Sequence, residues 1–242
     1  MIDRVRGTIR RRVLVNYRVA PDVIKRLLPS GFEPKLVGGY AMAGMCLIRL
    51  EHQRPSWLPS GVGLSSENVA HRIAVTRRAG GTERESVYIP RRDSASRLQH
   101  WLGGRAFPGE LGSAAFVVHD DGVSIDLSMR AADGLSVALR ARDDDMLPRA
   151  SVFASLEDAS CFFRAGSLGY SATRQGRSLD AVYLDAADWR VSALDVELAC
   201  STFFEDRSMF PLGSVEFDSA LIMRNIEHEW RRTDPLRLPA FN

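Results

Sequence analysis

Lysine is almost missing from this chain. Lys25 and Lys35 are the only two in 242 residues, and every other residue counted among the 32 basic ones is arginine. An arginine stays protonated and forms no Schiff base, so covalent amine chemistry could come only from those two side chains. Cysteine is sparse as well. Cys46, Cys161 and Cys200 stand far apart among apolar neighbours with no CxxC spacing, which predicts buried thiols in a reducing cytoplasm. No apolar run approaches the ~18 residues of a membrane span, and the opening MIDRVRGTIRRR carries charge with no apolar stretch behind it, unlike a signal peptide. Neither sign of charge dominates: 32 basic residues face 30 acidic ones, so a nucleic-acid footprint is not expected. The histidines are scattered without zinc-ligand spacing, and the P-loop, GxGxxG, GxSxG and HExxH patterns are all absent. These absences predict a soluble cytoplasmic protein that engages a small molecule and has no metal site.

Strand signals dominate what is present. GTIRRRVLVNYRV (7–19) is β-branched and stops at Pro21, where PDVIKRLLPSG sets Val23, Ile24, Leu27 and Leu28 at helical spacing. GFEPKLVGGYAMAGMCLIRL reads as a hairpin turning at Gly38–Gly39, and ENVAHRIAV returns through RESVYIP after Gly80–Gly81. DSASRLQHWLGG resembles a short helix with Asp93 or Ser94 as its N-cap. Asp121–Gly122 and Asp133–Gly134 separate three strands of a meander, in which Val123, Ile125, Leu127 and Met129 form the apolar face. Further strands are expected over 167–174, 179–184, 193–204 and 214–224. No repeat or linker divides the chain, so residues 1–242 are expected to form one domain. The fold class predicted is mainly β (α+β): a closed or strongly curved antiparallel β-barrel with a few short helices, holding its ligand in the mouth.

Candidate chemical groups are the polar residues that break an apolar pattern. In ENVAHRIAV, Glu67, Val69, His71, Ile73 and Val75 share the apolar face, while Asn68, Ala70, Arg72, Ala74 and Thr76 share the other. Glu67 is therefore either a buried carboxylate with a reason to be inside or the frayed end of the strand. His71 reads as a satisfied core histidine before it reads as a catalytic one. Tyr170, set among small residues in FFRAGSLGYSATRQG, could donate into a pocket or simply pack. Arg207 and His228 are weaker polar candidates.

Taken together, VLVNYRVAPDVIKRLLPSGFE, the glutamate of GLSSENVAHRIAV, and AFPGELG resemble the acetoacetate decarboxylase superfamily. FFRAGSLGYSATR, STFFEDRSMFPLGS and FDSALIMRNIEHEW resemble its YqjF-like bacterial branch. The resemblance runs over roughly residues 10–230 and implies a β-barrel with an internal ligand cavity, no cofactor, and assembly as a homo-oligomer. In the decarboxylases a lysine, its pKa lowered by a second lysine beside it, attacks a β-keto acid. The matching segment here is Phe107-Pro108-Gly109-Glu110-Leu111-Gly112, so both lysines are gone. The resemblance also aligns Glu67 with the family's acidic residue and Arg10 with its active-site arginine, although strand alternation sets Arg10 opposite Ile9, Val13, Val15 and Tyr17.

Glu67 and Glu110 in one small cavity could not both ionise cheaply and would form an acid/base pair. The expectation is a cofactor-independent lyase or isomerase, working by dehydration, isomerisation or cyclisation on a neutral or cationic molecule, with Arg10, His71, Arg105 and Tyr170 binding the substrate. The competing expectation is a non-catalytic binding protein that kept the cavity and lost the chemistry.

Overall fold

Turn chemistry decides where the strands begin. The computed structural model describes residues 3–59, 63–96, 111–173 and 178–238. β1 (Arg4–Val19) leads through α1 (Pro21–Leu27), β2 (Glu33–Pro34) and β3 (Leu36–Val37) into β4 (Tyr40–Pro55). Gly38 and Gly39 close the β3–β4 hairpin at φ 56° and 83°, left-handed values that glycine adopts without a steric penalty. β5 (Leu64–Ala79) and β6 (Thr82–Ser94) meet in the same way at Gly80–Gly81. The Asp-Gly meander forms β7 (Gly112–Asp120), β8 (Ser124–Ala131) and β9 (Ser136–Asp144). Then come α2 (Leu156–Arg164), β10 (Leu168–Ala172), β11 (Ser178–Ala186), β12 (Ser192–Ser201), α3 (Thr202–Glu205) and β13 (Val215–Arg237). Sequence reasoning passed over α2, although Ser155 caps it by accepting the Asp158 N–H at 3.1 Å.

All these strands belong to one curved, mostly antiparallel sheet of 13 strands, whose pairings close on themselves twice. The smaller ring runs β1-β4-β5-β6-β10-β11-β13 and back to β1. The larger runs from β6 through β7, β8, β9 and β12 to β13, and returns along β1, β4 and β5. Strands β1, β4, β5, β6 and β13 are therefore a wall common to both rings. Alternate residues along that wall enter different interiors.

The two interiors differ in how they are filled. Val13, Val15, Met45, Leu47, Ile73 and Val75 from the wall meet Ile125, Leu127, Met129, Val137 and Leu139 from the meander inside the larger ring. Phe204 and Phe210 complete that core, with ring centroids 5.3 Å apart, and Phe204 lies 4.8 Å from Tyr17. His71 is fully buried here, 4.5 Å from the Phe203 ring, its Nε2 2.8 Å from the Ser201 hydroxyl. Inside the smaller ring, Leu14, Cys46, Ile48, Leu50 and Leu184 form a second cluster, onto which α2 packs Ala159 and Phe163.

Several expectations need correction. Ile9 joins the smaller-ring cluster, not Val13 and Val15, because both pairings of β1 step from Ile9 to Arg11 and leave Arg10 unpaired. Arg10 is bulged out opposite Asn225, itself at φ 56°, and the parity of the strand reverses there. Val123 lies before β8 and is exposed. Asp93 and Ser94 belong to β6 rather than capping a helix, and residues 97–104 of that expected helix lie outside the described residues. Of the three thiols only Cys46 is buried; Cys161 is exposed and Cys200 half-buried.

The bulge turns Arg11 inward. Its guanidinium, only 4% exposed, donates to Glu67 at 2.7 Å and to Asp120 at 3.3 Å. Asp120 is bound in turn by Arg224 at 3.0 Å, and Arg224 reaches Asp143 at 3.4 Å. This network ties β1, β5, β7, β9 and β13 together across the larger ring. Arg11→Ala would leave Glu67 with only the more distant Arg49 and Asp120 with only Arg224, and should cost about 3 kcal/mol in urea unfolding. Arg10→Ala, one residue away, should change stability by less than about 0.5 kcal/mol.

His71 makes a second prediction. Burial, with Arg91 adding to it, lowers its pKa to about 3, whereas the unfolded chain takes up this proton near 6.5. The stability held by neutral His71 is complete above pH 6.5 and drains away as pH falls toward 3. Unfolding measured at pH 7.0, 5.5 and 4.5 should show roughly 2–3 kcal/mol lost from this group by pH 4.5, and His71→Phe should flatten that slope.

Candidate functional site

The smaller ring is not completely filled. A cavity of about 150 Å³ lies inside it, and every one of its seven strands contributes to the lining. Val5, Ile48, Leu50, Val87, Ile89, Val182 and Leu184 make the apolar wall, with Leu111 and Trp230 at its margin. Gly169 of β10 is also in the lining, where a Cβ would come within 3.0 Å of the Ile89 side chain.

Arginine supplies the charge of the cavity. Arg12, Arg72, Arg92 and Arg232 line it, against Asp3 and Asp93. Asp93 is already neutralised: Arg91 donates to both its oxygens at 2.8 and 2.9 Å and continues to Asp133. Arg232 reaches Asp180 at 3.3 Å. The other three guanidiniums have neutral partners only among the described contacts. Arg12 donates to the Cys46 sulfur at 3.3 Å and lies over Trp189. Arg72 donates to Asn16 and lies 4.7 Å over the Phe163 ring, and Arg92 donates to the Ser171 hydroxyl. Burial lowers both Arg72 and Arg92 to about 10, so each remains a cation at neutral pH.

Four buried N–H donors of this lining have no acceptor: Arg12 Nη1, Arg72 Nε, Arg92 Nε and Trp230 Nε1. A buried donor without a partner costs roughly 1–3 kcal/mol, and a group of them in one cavity is a receptor for acceptor oxygens. None of these residues was named as a site from sequence. The alternation of β5 had placed Arg72 on the face opposite Glu67, and that face turns out to be the cavity. Ala70 and Ala74, small apolar residues interleaved with Arg72, were the signal that this face too is enclosed.

The residues that were named are not brought together by the fold. Glu67 points into the larger ring, held by Arg11 and, at 3.9 Å, by Arg49. Burial raises its carboxyl above the usual range, with the two arginines opposing that shift. His71 and Tyr170 also face the larger ring, where Tyr170 packs edge-on to Phe32 at 5.3 Å. Arg10 is exposed and donates to Asn225. His228 is buried against Gln53 at 3.3 Å, and burial together with Arg12 lowers it to about 4. Arg105 and Glu110 lie outside the described residues. Among the described residues, no three His, Cys, Asp or Glu side chains converge on a possible metal site.

No curated protein sequence matches this chain. Solved structures do. Acetoacetate decarboxylase from Legionella pneumophila superposes with a TM-score of 0.60 at 12% identity, covering 96% of this chain and 87% of that one. An acetoacetate decarboxylase-like enzyme from Sphingomonas wittichii RW1 gives 0.55 at 15% identity, covering 99% and 94%. The enduracididine biosynthesis enzyme MppR complexed with pyruvate gives 0.52 at 13% identity, covering 98% and 90%. At these identities the likeness establishes the fold, and the family follows from the sequence itself. Residues 6–202 match the model of DUF2071, described as an uncharacterized conserved protein, and the chain belongs to that family, carried on an acetoacetate decarboxylase-like fold.

Proposed function

We propose that this chain is an enzyme that acts on a small acid in the cavity of the smaller ring, by proton transfer of the lyase or isomerase kind, with no cofactor and no Schiff base. The observation that carries the reading is the set of acceptor-less arginine donors among the apolar side chains of the cavity lining. It also reverses the expected charge of the substrate. A neutral or cationic molecule suited a cavity holding two glutamates, whereas a cavity lined by guanidiniums draws a carboxylate.

The lysines support the exclusion of Schiff-base chemistry. Lys25 is exposed and paired with Glu33, and Lys35 is paired with Glu85 and lies over the Phe162 ring. Neither lines the cavity. For the proton-transfer group Glu110 is the candidate, because Leu111, the next residue in the chain, is part of the lining. Asp93 does not compete for that role while Arg91 occupies both its oxygens. Glu67, on the far side of β5, keeps its place in the ion network instead. A non-catalytic binding protein is the second reading, favoured by one feature: no carboxylate of the described lining is both buried and free of arginine.

Solvent exchange separates the two. MppR holds pyruvate on this fold, so pyruvate is a reasonable probe. Incubated with it in D2O, the enzyme should speed deuterium entry at the methyl carbon, read by proton NMR, and Glu110→Gln should reduce that rate at least a hundredfold while the fold is kept. Borohydride should trap no adduct. Pyruvate that raises Tm without any exchange would establish the binding protein, and an adduct on Lys25 or Lys35 would overturn the exclusion of the lysines.

A further inference from the structure

The charge inside the smaller ring exceeds what one carboxylate can balance. Arg12, Arg72 and Arg92 hang from three different strands, β1, β5 and β6, and are anchored to neutral partners on three more positions of the wall: Cys46 on β4, Asn16 on β1 and Ser171 on β10. Arg12 and Arg72 are close enough that the charge of the first depresses the pKa of the second, adding to the effect of burial. Among the described residues, the carboxylate whose field reaches Arg92 is Asp180, which Arg232 also engages. With Arg232 set against Asp180 and Arg91 against Asp93, the three guanidiniums are opposed in the described lining only by the exposed Asp3, which leaves an excess of about two positive charges. Like charges confined in a low-dielectric space repel strongly, and a fold that keeps them there is complete only with a counter-anion.

Size narrows the anion. A cavity of this volume, about 150 Å³, is on the scale that accommodates benzene in an engineered core, so a ligand of roughly six to nine non-hydrogen atoms is the right order. Two carboxylates account for six of those atoms and leave room for a spacer of about one to three carbons. The apolar wall of Ile48, Leu50, Val182 and Leu184 suits such a spacer, and the orphan arginine donors belong to three different strands of the ring, β1, β5 and β6.

We propose that the smaller ring recognises a short dicarboxylate, one acid group held by Arg12 and Arg72 and the other by Arg92, with Trp230 Nε1 as a further donor. The inference rests on the reading of this cavity as the substrate site and adds the second acid group to it. A dianion is discriminated from a monoanion by the guanidinium that the monoanion leaves unpaired.

Calorimetric titration of the full chain tests this with malonate, succinate, acetate, pyruvate and inorganic phosphate at pH 7.5. Malonate or succinate should bind at least tenfold more tightly than acetate or pyruvate, and that ratio should shrink as salt is raised. Arg72→Gln and Arg92→Gln should each weaken the dicarboxylate at least tenfold and acetate less than threefold. Without ligand, both variants should keep or raise the Tm of the parent, since each removes an unneutralised buried cation. Monocarboxylates that match the dicarboxylates would overturn the dianion and leave the cavity as an acid site. Phosphate binding more tightly than either dicarboxylate would overturn the two separated acid groups. If none of the five anions binds, the acid-site reading of the cavity falls with the inference. Should a glutamine variant fail to fold, the parent's own affinity ratio decides.

Discussion

Five strands of this sheet are walls with a chamber on each side, and where both rings close over them their side chains alternate between the two. On an ordinary half-exposed sheet the period of two separates core from solvent. Here it separates two interiors, one packed with aromatic and aliphatic side chains and one retaining a cavity. A single unpaired residue on such a wall therefore exchanges the contents of the chambers from that point on. The bulge at Arg10 does this on β1. It sends Arg11 to the ion network and Arg12 to the cavity, and Ile9 to the cluster that Leu14 also joins.

The same residue type meets two fates on either side of the wall. Arg11 and Arg224 are matched by Glu67, Asp120 and Asp143, so the larger ring spends its buried charges on internal pairs that tie strands together. Arg12, Arg72 and Arg92 are matched by a thiol, an amide and a hydroxyl. An ion network that closes on itself is structural. A set of cations whose partners are all neutral, in a space that also contains a void, is unfinished chemistry.

How much of this was legible varied with the kind of signal. Gly38–Gly39, Gly80–Gly81, Asp121–Gly122 and Asp133–Gly134 each marked a turn, because positive φ is nearly exclusive to such residues. The alternation in ENVAHRIAV correctly gave Glu67 and His71 an enclosed face, but the word "interior" was ambiguous where both faces are enclosed. Arg72, 5% exposed, fell by the same alternation on the less apolar face, which is enclosed as well. The bulge at Arg10 and Asn225 has no proline or glycine to announce it, so alternation alone could not show that Arg11 and Arg12 turn toward different chambers. Helix α2 was hidden for a different reason: LEDASCFFR follows a capping serine, Ser155, but sits between a loop and a glycine-rich strand that drew attention first.

The scarcity of lysine, the plainest feature of the composition, acquires a structural meaning in the cavity. A buried lysine can shed its proton and become a nucleophile; a guanidinium whose pKa falls only to about 10 cannot do so near neutrality. Replacing amines by guanidiniums in a site of this fold exchanges covalent capture for ionic and hydrogen-bonded recognition. An acid in this cavity would be held by planar, permanently charged donors, and any bond-making would have to come from a group outside that set. A guanidinium can orient such an acid but cannot take a proton from it near neutrality, so recognition and proton transfer in this cavity would fall to different residues.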